Sequence, residues 1–210
     1  MKKKIVVLIT SLLVICLLTF CAWFIPRDIN SVVRLIFSIV LYLLQAAVAL
    51  VAMKMTDVKL GLELLNWKSY LIGLGVALGL SFFIAFLPAL FGSSLVGSHA
   101  DFSWDVFFVN LFYFMIIVGP VEELIFRAYV QETFIGFFTK HKWVAVIIAS
   151  ALFGLWHIIN GSLLQVLFTF LIGLVLGFAK YFIKECKFVG VASAHGLYDF
   201  LNTIIRFFVV

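Results

Sequence analysis

The chain reads as seven long apolar runs separated by short polar punctuation. They lie at about residues 5–25, 32–53, 70–91, 104–121, 143–159, 163–183 and 188–208. The runs lack the strict alternation of membrane β-strands, and each approaches the roughly 20 residues that carry a helix across a ~30 Å hydrocarbon core. The pattern predicts an all-α polytopic membrane protein of about seven transmembrane helices, within a range of six to eight. The fourth run continues beyond 121 to Phe138, too far for one upright crossing. Gly119–Pro120 lies inside it, and proline removes a backbone donor and kinks a helix. A bend is expected there, with the second half tilted or partly interfacial.

The punctuation sets the orientation. Alternating the connections from a cytosolic N-terminus places Lys2, Lys3, Lys4, Lys54, Lys59, Lys68, Lys140, Lys142, Lys180, Lys184 and Lys187 on one face. The other face receives Arg27, Arg34 and Arg206, and Arg127 is left within the membrane zone. Basic residues collect on the cytosolic side, so the split supports an odd number of spans. The outer connection from Gly92 to Ser103 carries no Lys or Arg. The N-terminal lysines and first apolar run resemble a signal peptide, but a small-residue cleavage site is missing and the run is long enough to span. Phe20 stands where a lipoprotein-type site before Cys21 would want a small residue, which argues against lipidation there.

Composition narrows the class. Of 210 residues, 65% are hydrophobic and 12% charged, with a mean hydropathy of +1.24. A soluble domain carries about 25% charged residues. An ordinary cytosolic enzyme, a disordered tail and a free nucleic-acid binder are therefore excluded, and the net charge of +5 belongs to the membrane face. Cys16, Cys21 and Cys186 form no disulfide framework. One integral-membrane domain is expected, with N-terminal helices over 1–104 and the chemistry over 105–210. The lysine-only inner face suggests a multi-pass protein of a bacterial plasma membrane. Gly75/Gly79 and Gly173/Gly177 have the small-xxx-small spacing of closely packed helices.

Ionisable residues inside spans are costly and point to function. Three clusters occur in the second half. In Glu122-Glu123-Leu124-Ile125-Phe126-Arg127, Glu123 and Arg127 are four apart on one helical face, acid first, the favourable order for an ion pair. Glu122 is rotated by about 100°. One acid thus pairs with the arginine while the other faces a cavity, where burial would suit a proton acceptor. In the competing reading both acids only neutralise Arg127. The second cluster is Phe153-Gly154-Leu155-Trp156-His157. A lone histidine in a span is often an interhelical hydrogen bonder, but a hairpin turning near His141 sets His157 opposite Ile125, within a turn of both acids. The third places His195, Asp199 and Asn202 at i, i+4 and i+7 on one face. Such a set can hold a metal, orient an imidazole, offer donors to an oxyanion or glue two helices. The depths disagree: His195 is eight residues from Lys187, His157 fifteen from Lys142. That is a mismatch of about 10 Å at 1.5 Å per residue, so the helices must tilt, kink or project unequally. His99, His141, Asp101 and Asp105 read as solvated loop residues, and Glu132 as interfacial.

These clusters, in the order EExxxR, FxxxH and HxxxD, resemble the CPBP family, which includes type II CAAX prenyl endopeptidases and bacteriocin-processing or bacteriocin-immunity membrane proteins. The resemblance covers about residues 105–205 and rests on Glu122, Glu123, Arg127, Phe153, His157, His195 and Asp199. It implies an intramembrane endopeptidase, either glutamate-type or metal-dependent. Glu122 with His157 would activate water, His195 with Asp199 would stabilise the oxyanion, and Glu123 and Arg127 would hold and tune the site. The chain departs from the family at residue 199, where the third motif often has asparagine, and at Ala128, where glycine is frequent. An ionised Asp199 cannot donate a hydrogen bond; a protonated one can, and so can Asn202. Glu122, His157, His195 and Asp199 would also form a Zn²⁺ set, although the same groups work without metal. The expected partners are the lipid bilayer and a membrane-associated peptide or protein cut near the cytosolic side. The rival readings are a non-catalytic scaffold or bacteriocin self-immunity protein and, more weakly, a small proton-coupled transporter. Crowding of the ionisable residues into one half argues against the transporter.

Overall fold

A computed structural model of the chain describes residues 2–26, 28–92, 96–159 and 161–209. Arg27 and residues 93–95 of the Gly92–Ser103 connection lie outside the described residues. Among the described residues, seven helices follow one another: α1 (Lys2–Cys21, ending in a 3₁₀ turn), α2 (Ser31–Thr56), α3 (Trp67–Leu90), α4 (Trp104–Phe137), α5 (Trp143–Trp156, ending in the 3₁₀ turn His157–Ile159), α6 (Leu163–Phe182) and α7 (Phe188–Phe208). No strand occurs among the described residues. The all-helical polytopic architecture expected from the apolar runs is present. Five helices, α1 to α4 and α6, are long and apolar enough to cross a membrane. α5 has only 14 residues. α7 has 21 but carries His195, Asp199, Asn202 and Arg206.

Polar residues start three helices as their chemistry dictates. The side chains of Asn30, Asn66 and Ser162 accept from the backbone N–H groups of Val32, Ser69 and Gln165 at 2.8, 3.1 and 3.3 Å, satisfying otherwise orphaned donors. The lysines of the connections follow the predicted one-sided pattern. Lys180, in the last turn of α6, pairs with Glu132, and Lys187 pairs with Glu63 at 3.9 Å.

α7 packs against α3, α4 and α6 and forms the centre of the second half of the chain. Glycines allow the close approach. A Cβ on Gly119 of α4 would lie 2.6 Å from the Gly196 nitrogen and 2.7 Å from the Ala192 carbonyl oxygen of α7. A Cβ on Gly196 would lie 2.5 Å from the Phe114 carbonyl oxygen. Backbone therefore rests on backbone at this crossing, one turn from Glu122 and Glu123. On α3, Gly73 makes the equivalent approach: a Cβ added there would collide with the Gly190 carbonyl oxygen of α7. The Gly75/Gly79 pair meets nothing within 4 Å, so the packing contact predicted there is not made inside this chain. Gly173 and Gly177 do face neighbours, on α4 and α5.

α4 contains the expected irregularity. Its 34 residues would extend about 51 Å as a straight helix at 1.5 Å per residue. Two π-helical segments, Tyr113–Val118 and Leu124–Val130, flank Gly119–Glu123. Pro120 lacks the donor that would continue the regular ladder, and widened turns of this kind often accompany functional sites. The second half is not peripheral as expected. Every residue from Val121 to Gln131 is buried, because its polar side chains find partners on α6 and α7 that an interfacial helix would lack.

Unequal projection resolves the depth mismatch. The start of α7 is sunk into the protein: Cys186, Phe188, Val189, Gly190 and Val191 are buried, whereas Lys140, His141, Lys142 and Trp143 at the start of α5 are exposed. Burial also pushes the Cys186 thiol up to about 11, which makes it a packing residue rather than a reactive one. The backbone N–H of Lys187 donates to the Ser69 hydroxyl at 2.8 Å, fixing the inset turn against α3.

Candidate active site

The site is assembled where α2, α4, α5 and α7 meet. α4 supplies two adjacent acids in different surroundings. Glu123 is fully buried and sits 3.2 Å from Arg127 Nε through Oε2. Its other oxygen, Oε1, lies 2.8 Å from His195 Nδ1. The ion pair is close in distance but the guanidinium N–H does not point well at the carboxylate, and Arg127 Nε and Nη1 have no hydrogen-bond partner. Arg127 instead donates from Nη2 to the Gly173 carbonyl at 3.1 Å and stacks 4.5 Å from the centre of the Phe153 ring. One turn on, Gln131 donates to the Gly177 carbonyl at 3.4 Å. The two glycines lack side chains that would shield these carbonyls, so α4 reaches α6 through a two-rung ladder. Breaking a buried ion pair by removing one partner costs about 3–5 kcal/mol, and the ladder makes Arg127 a structural clamp.

Glu122 points the other way. It is 4% exposed. Its Oε1 accepts a 2.8 Å hydrogen bond from the Tyr42 hydroxyl of α2, while its Oε2 is buried without a partner. Two imidazole nitrogens face that oxygen: His157 Nε2 at 3.9 Å and His195 Nε2 at 3.8 Å. Both rings are oriented through their other nitrogen. His157 Nδ1 lies 2.9 Å from the Phe153 carbonyl oxygen. A carbonyl can only accept, so Nδ1 carries the proton, and in the neutral ring Nε2 presents its lone pair to the site. His195 Nδ1 is held by Glu123, and its Nε2 is 3.4 Å from Asp199 Oδ2. His195 thus contacts Glu122, Glu123 and Asp199.

Phe153 is the common wall. Its ring makes edge contacts with His157 at 4.8 Å and His195 at 5.5 Å between centroids, while also facing Arg127. The FxxxH spacing places ring and imidazole one turn apart, as the sequence reading required. The α4–α5 hairpin is confirmed by edge contacts of Phe126 with Phe153 and Trp156 at 5.2 and 5.8 Å.

Glu122, His157, His195, Asp199 and Asn202 line one cavity of about 630 Å³, within the usual range for ligand sites. The Asn202 Oδ1 is buried there without a partner. A second cavity of about 230 Å³, between α1, α2, α4 and α5, shares Tyr42, Tyr113, Glu122 and His157 with the first. Among the described residues, no group of three or more His, Cys, Asp or Glu side chains is arranged to hold a metal ion. His99, His141, Asp101 and Asp105 are exposed.

Tyr42 was not singled out from the sequence. A signal existed: tyrosines in membrane helices favour the interfaces, whereas Tyr42 lies near the middle of α2. Gln45, one turn further, is buried and donates to Thr19 of α1 at 3.2 Å.

Residues 103–201, just under half of the chain, match the family described as type II CAAX prenyl endopeptidase Rce1-like. No curated protein and no solved structure matches the chain.

Proposed function

We propose that this chain, whose residues 103–201 match that family, is an intramembrane endopeptidase that hydrolyses a peptide bond with Glu122 as general base. One observation carries the reading. Glu122 Oε2 is buried, unpartnered and faced by two oriented imidazole nitrogens at 3.9 and 3.8 Å. Gaps of that size between polar atoms suit a bridging water, and activating water is what hydrolysis requires.

In this mechanism a water sits between Glu122 Oε2 and His157 Nε2. Glu122 takes its proton as the oxygen attacks the substrate carbonyl carbon. The carbonyl oxygen becomes an oxyanion and accepts from His195 Nε2, which donates when both ring nitrogens are protonated, Nδ1 being engaged by Glu123. Asp199, beside that nitrogen, supports the charged ring, and Asn202 adds an amide to the same wall. Collapse of the tetrahedral species breaks the C–N bond, and Glu122 returns the proton to the leaving nitrogen. Tyr42 positions Glu122. Glu123, Arg127 and Phe153 position the histidines. Aimed donors in a water-poor site are the largest catalytic term in such chemistry, each worth about 10²–10³ in rate.

We assign every step to the chain's own residues, and no step passes through Zn²⁺. Treatment of the purified protein with a chelator is therefore expected to leave cleavage intact. Loss of activity that zinc restores would replace this scheme with a metal-dependent one. The central experiment is Glu122→Gln, which keeps the shape and the acceptor for Tyr42 but removes the base. Cleavage should disappear while insertion and thermal stability are retained. Full activity in that variant would end the proteolytic reading in its present form, and an unchanged cellular phenotype would favour a scaffold.

A further inference from the structure

We propose that the catalytic cavity opens on the face opposite the lysines, so that the substrate is a peptide segment presented on the extracytosolic side. The inference rests on the proteolytic reading for its substrate but not for its geometry.

Two independent patterns meet here. The first is burial along the cavity wall. Its floor, at Glu122, Phe153 and His195, is buried. Along α6 the lining residues grade outward: Ile172 is buried, Phe168 and Thr169 are intermediate, and Leu164, Gln165 and the capping Ser162 are exposed. Gly97 of the α3–α4 connection, also exposed, completes the rim. That connection is moored to the end of α7, where Arg206 Nε donates to the Ser98 carbonyl at 3.0 Å and Ala100 N donates to the Arg206 carbonyl at 3.1 Å.

The second pattern is charge. The rim is formed by the α5–α6 and α3–α4 connections. Every lysine lies in or beside the connections at the other ends of these helices, or near the N-terminus. From Gln165 to Lys180 is fifteen residues of α6, about 22 Å along the axis. Lysine-bearing ends stay cytosolic, which sends the mouth outward. This reverses the cytosolic-side cleavage expected from the motifs alone, because the motifs fix which residues meet but not which end of the bundle is open.

The lining also limits the ligand. No described residue that lines the cavity is Lys or Arg, while Glu122 and Asp199 are acidic. A free C-terminal carboxylate would meet no fixed cation within that lining; Arg206 stands beside Gly97 at the rim, with its Nε engaged by the Ser98 carbonyl. The cavity instead suits an internal, uncharged stretch, with Ser162, Gln165 and Thr169 offering polar groups to its backbone and Phe114, Phe168 and Ile172 taking apolar side chains. Segments that flank a membrane span on the outer side, as in exported precursors, have that chemistry.

The test uses the full chain with Cys16, Cys21 and Cys186 replaced, carrying one new cysteine, Gln165→Cys or Lys140→Cys. A membrane-impermeant maleimide is applied to sealed spheroplasts and to permeabilised ones. Gln165→Cys should label in both, Lys140→Cys only after permeabilisation. The reverse result overturns the proposal whatever the activity. In parallel, the native sequence is coexpressed with a library of single-span fusions bearing randomised juxtamembrane segments in either orientation. Cleavage confined to outward-facing segments, and abolished by Glu122→Gln, is expected. Cleavage of inward-facing segments overturns the assignment. Outward labelling with no fusion cut on either side leaves the geometry standing and counts against the proteolytic reading instead.

Discussion

At the scale of single residues, the two neighbouring glutamates are distinguished by their partners rather than their position in the sequence. Glu123 is committed to Arg127 and His195; Glu122 keeps one oxygen uncommitted. Their substitutions should therefore separate. Arg127→Ala should destabilise the protein by about 3–5 kcal/mol, the cost of orphaning a buried charge, measurable as reduced thermal stability in detergent. His195→Ala should lower kcat by about 10²–10³ if its Nε2 donates to the oxyanion, in a steady-state assay. Tyr42→Phe removes one hydrogen bond to a charged group, a net contribution of about 1.5–3 kcal/mol. Its expected effect is a reduced kcat with KM unchanged, because the hydroxyl is committed to Glu122; a change in KM alone would place Tyr42 in binding.

At the scale of elements, the decisive contact is the crossing of α4 and α7. Gly119 and Gly196 let the two backbones touch, and this brings HxxxD against EExxxR. An added methyl at either glycine would sit below 3 Å from backbone atoms, and backbone cannot rotate aside as a side chain can. Gly119→Ala should cost about 1–3 kcal/mol through overpacking and should lower activity further by displacing Glu122 from His195. Gly75→Ala, where nothing lies within 4 Å, should change neither; the pair of melting curves and cleavage rates checks this. The same element explains the burial of the second half of α4. Arg127 and Gln131 bind the carbonyls of α6 at Gly173 and Gly177, so the half expected to be tilted or partly interfacial is held in the interior.

At the scale of the molecule, the N-terminal helices complete a site whose motifs all lie in the second half. Tyr42 comes from α2, and α7 is seated on α3 through Gly73, Gly190 and the Ser69 hydroxyl. A fragment of residues 103–210 contains every motif residue yet lacks these contacts. Expressed alone it should be inactive and easily degraded, and coexpression with residues 1–102 should restore part of the cleavage. Full activity of the fragment by itself would remove α2 and α3 from the functional unit.

The helices, their number and the face that carries the lysines were legible in the sequence because they depend on local composition: apolar runs of spanning length and charges that resist lipid. The pairing of Glu123 with Arg127 was legible for the same reason, since residues four apart share a helical face. Contacts between distant segments had no such local trace. The Tyr42 bond to Glu122, the grip of Glu123 on His195, the glycine crossing and the inset start of α7 depend on how helices pack, and single-chain periodicity does not encode packing partners. Sequence alone thus named side chains that meet in one cavity; tertiary structure decided which oxygen of which glutamate is left uncommitted, and at which end of the bundle its cavity opens.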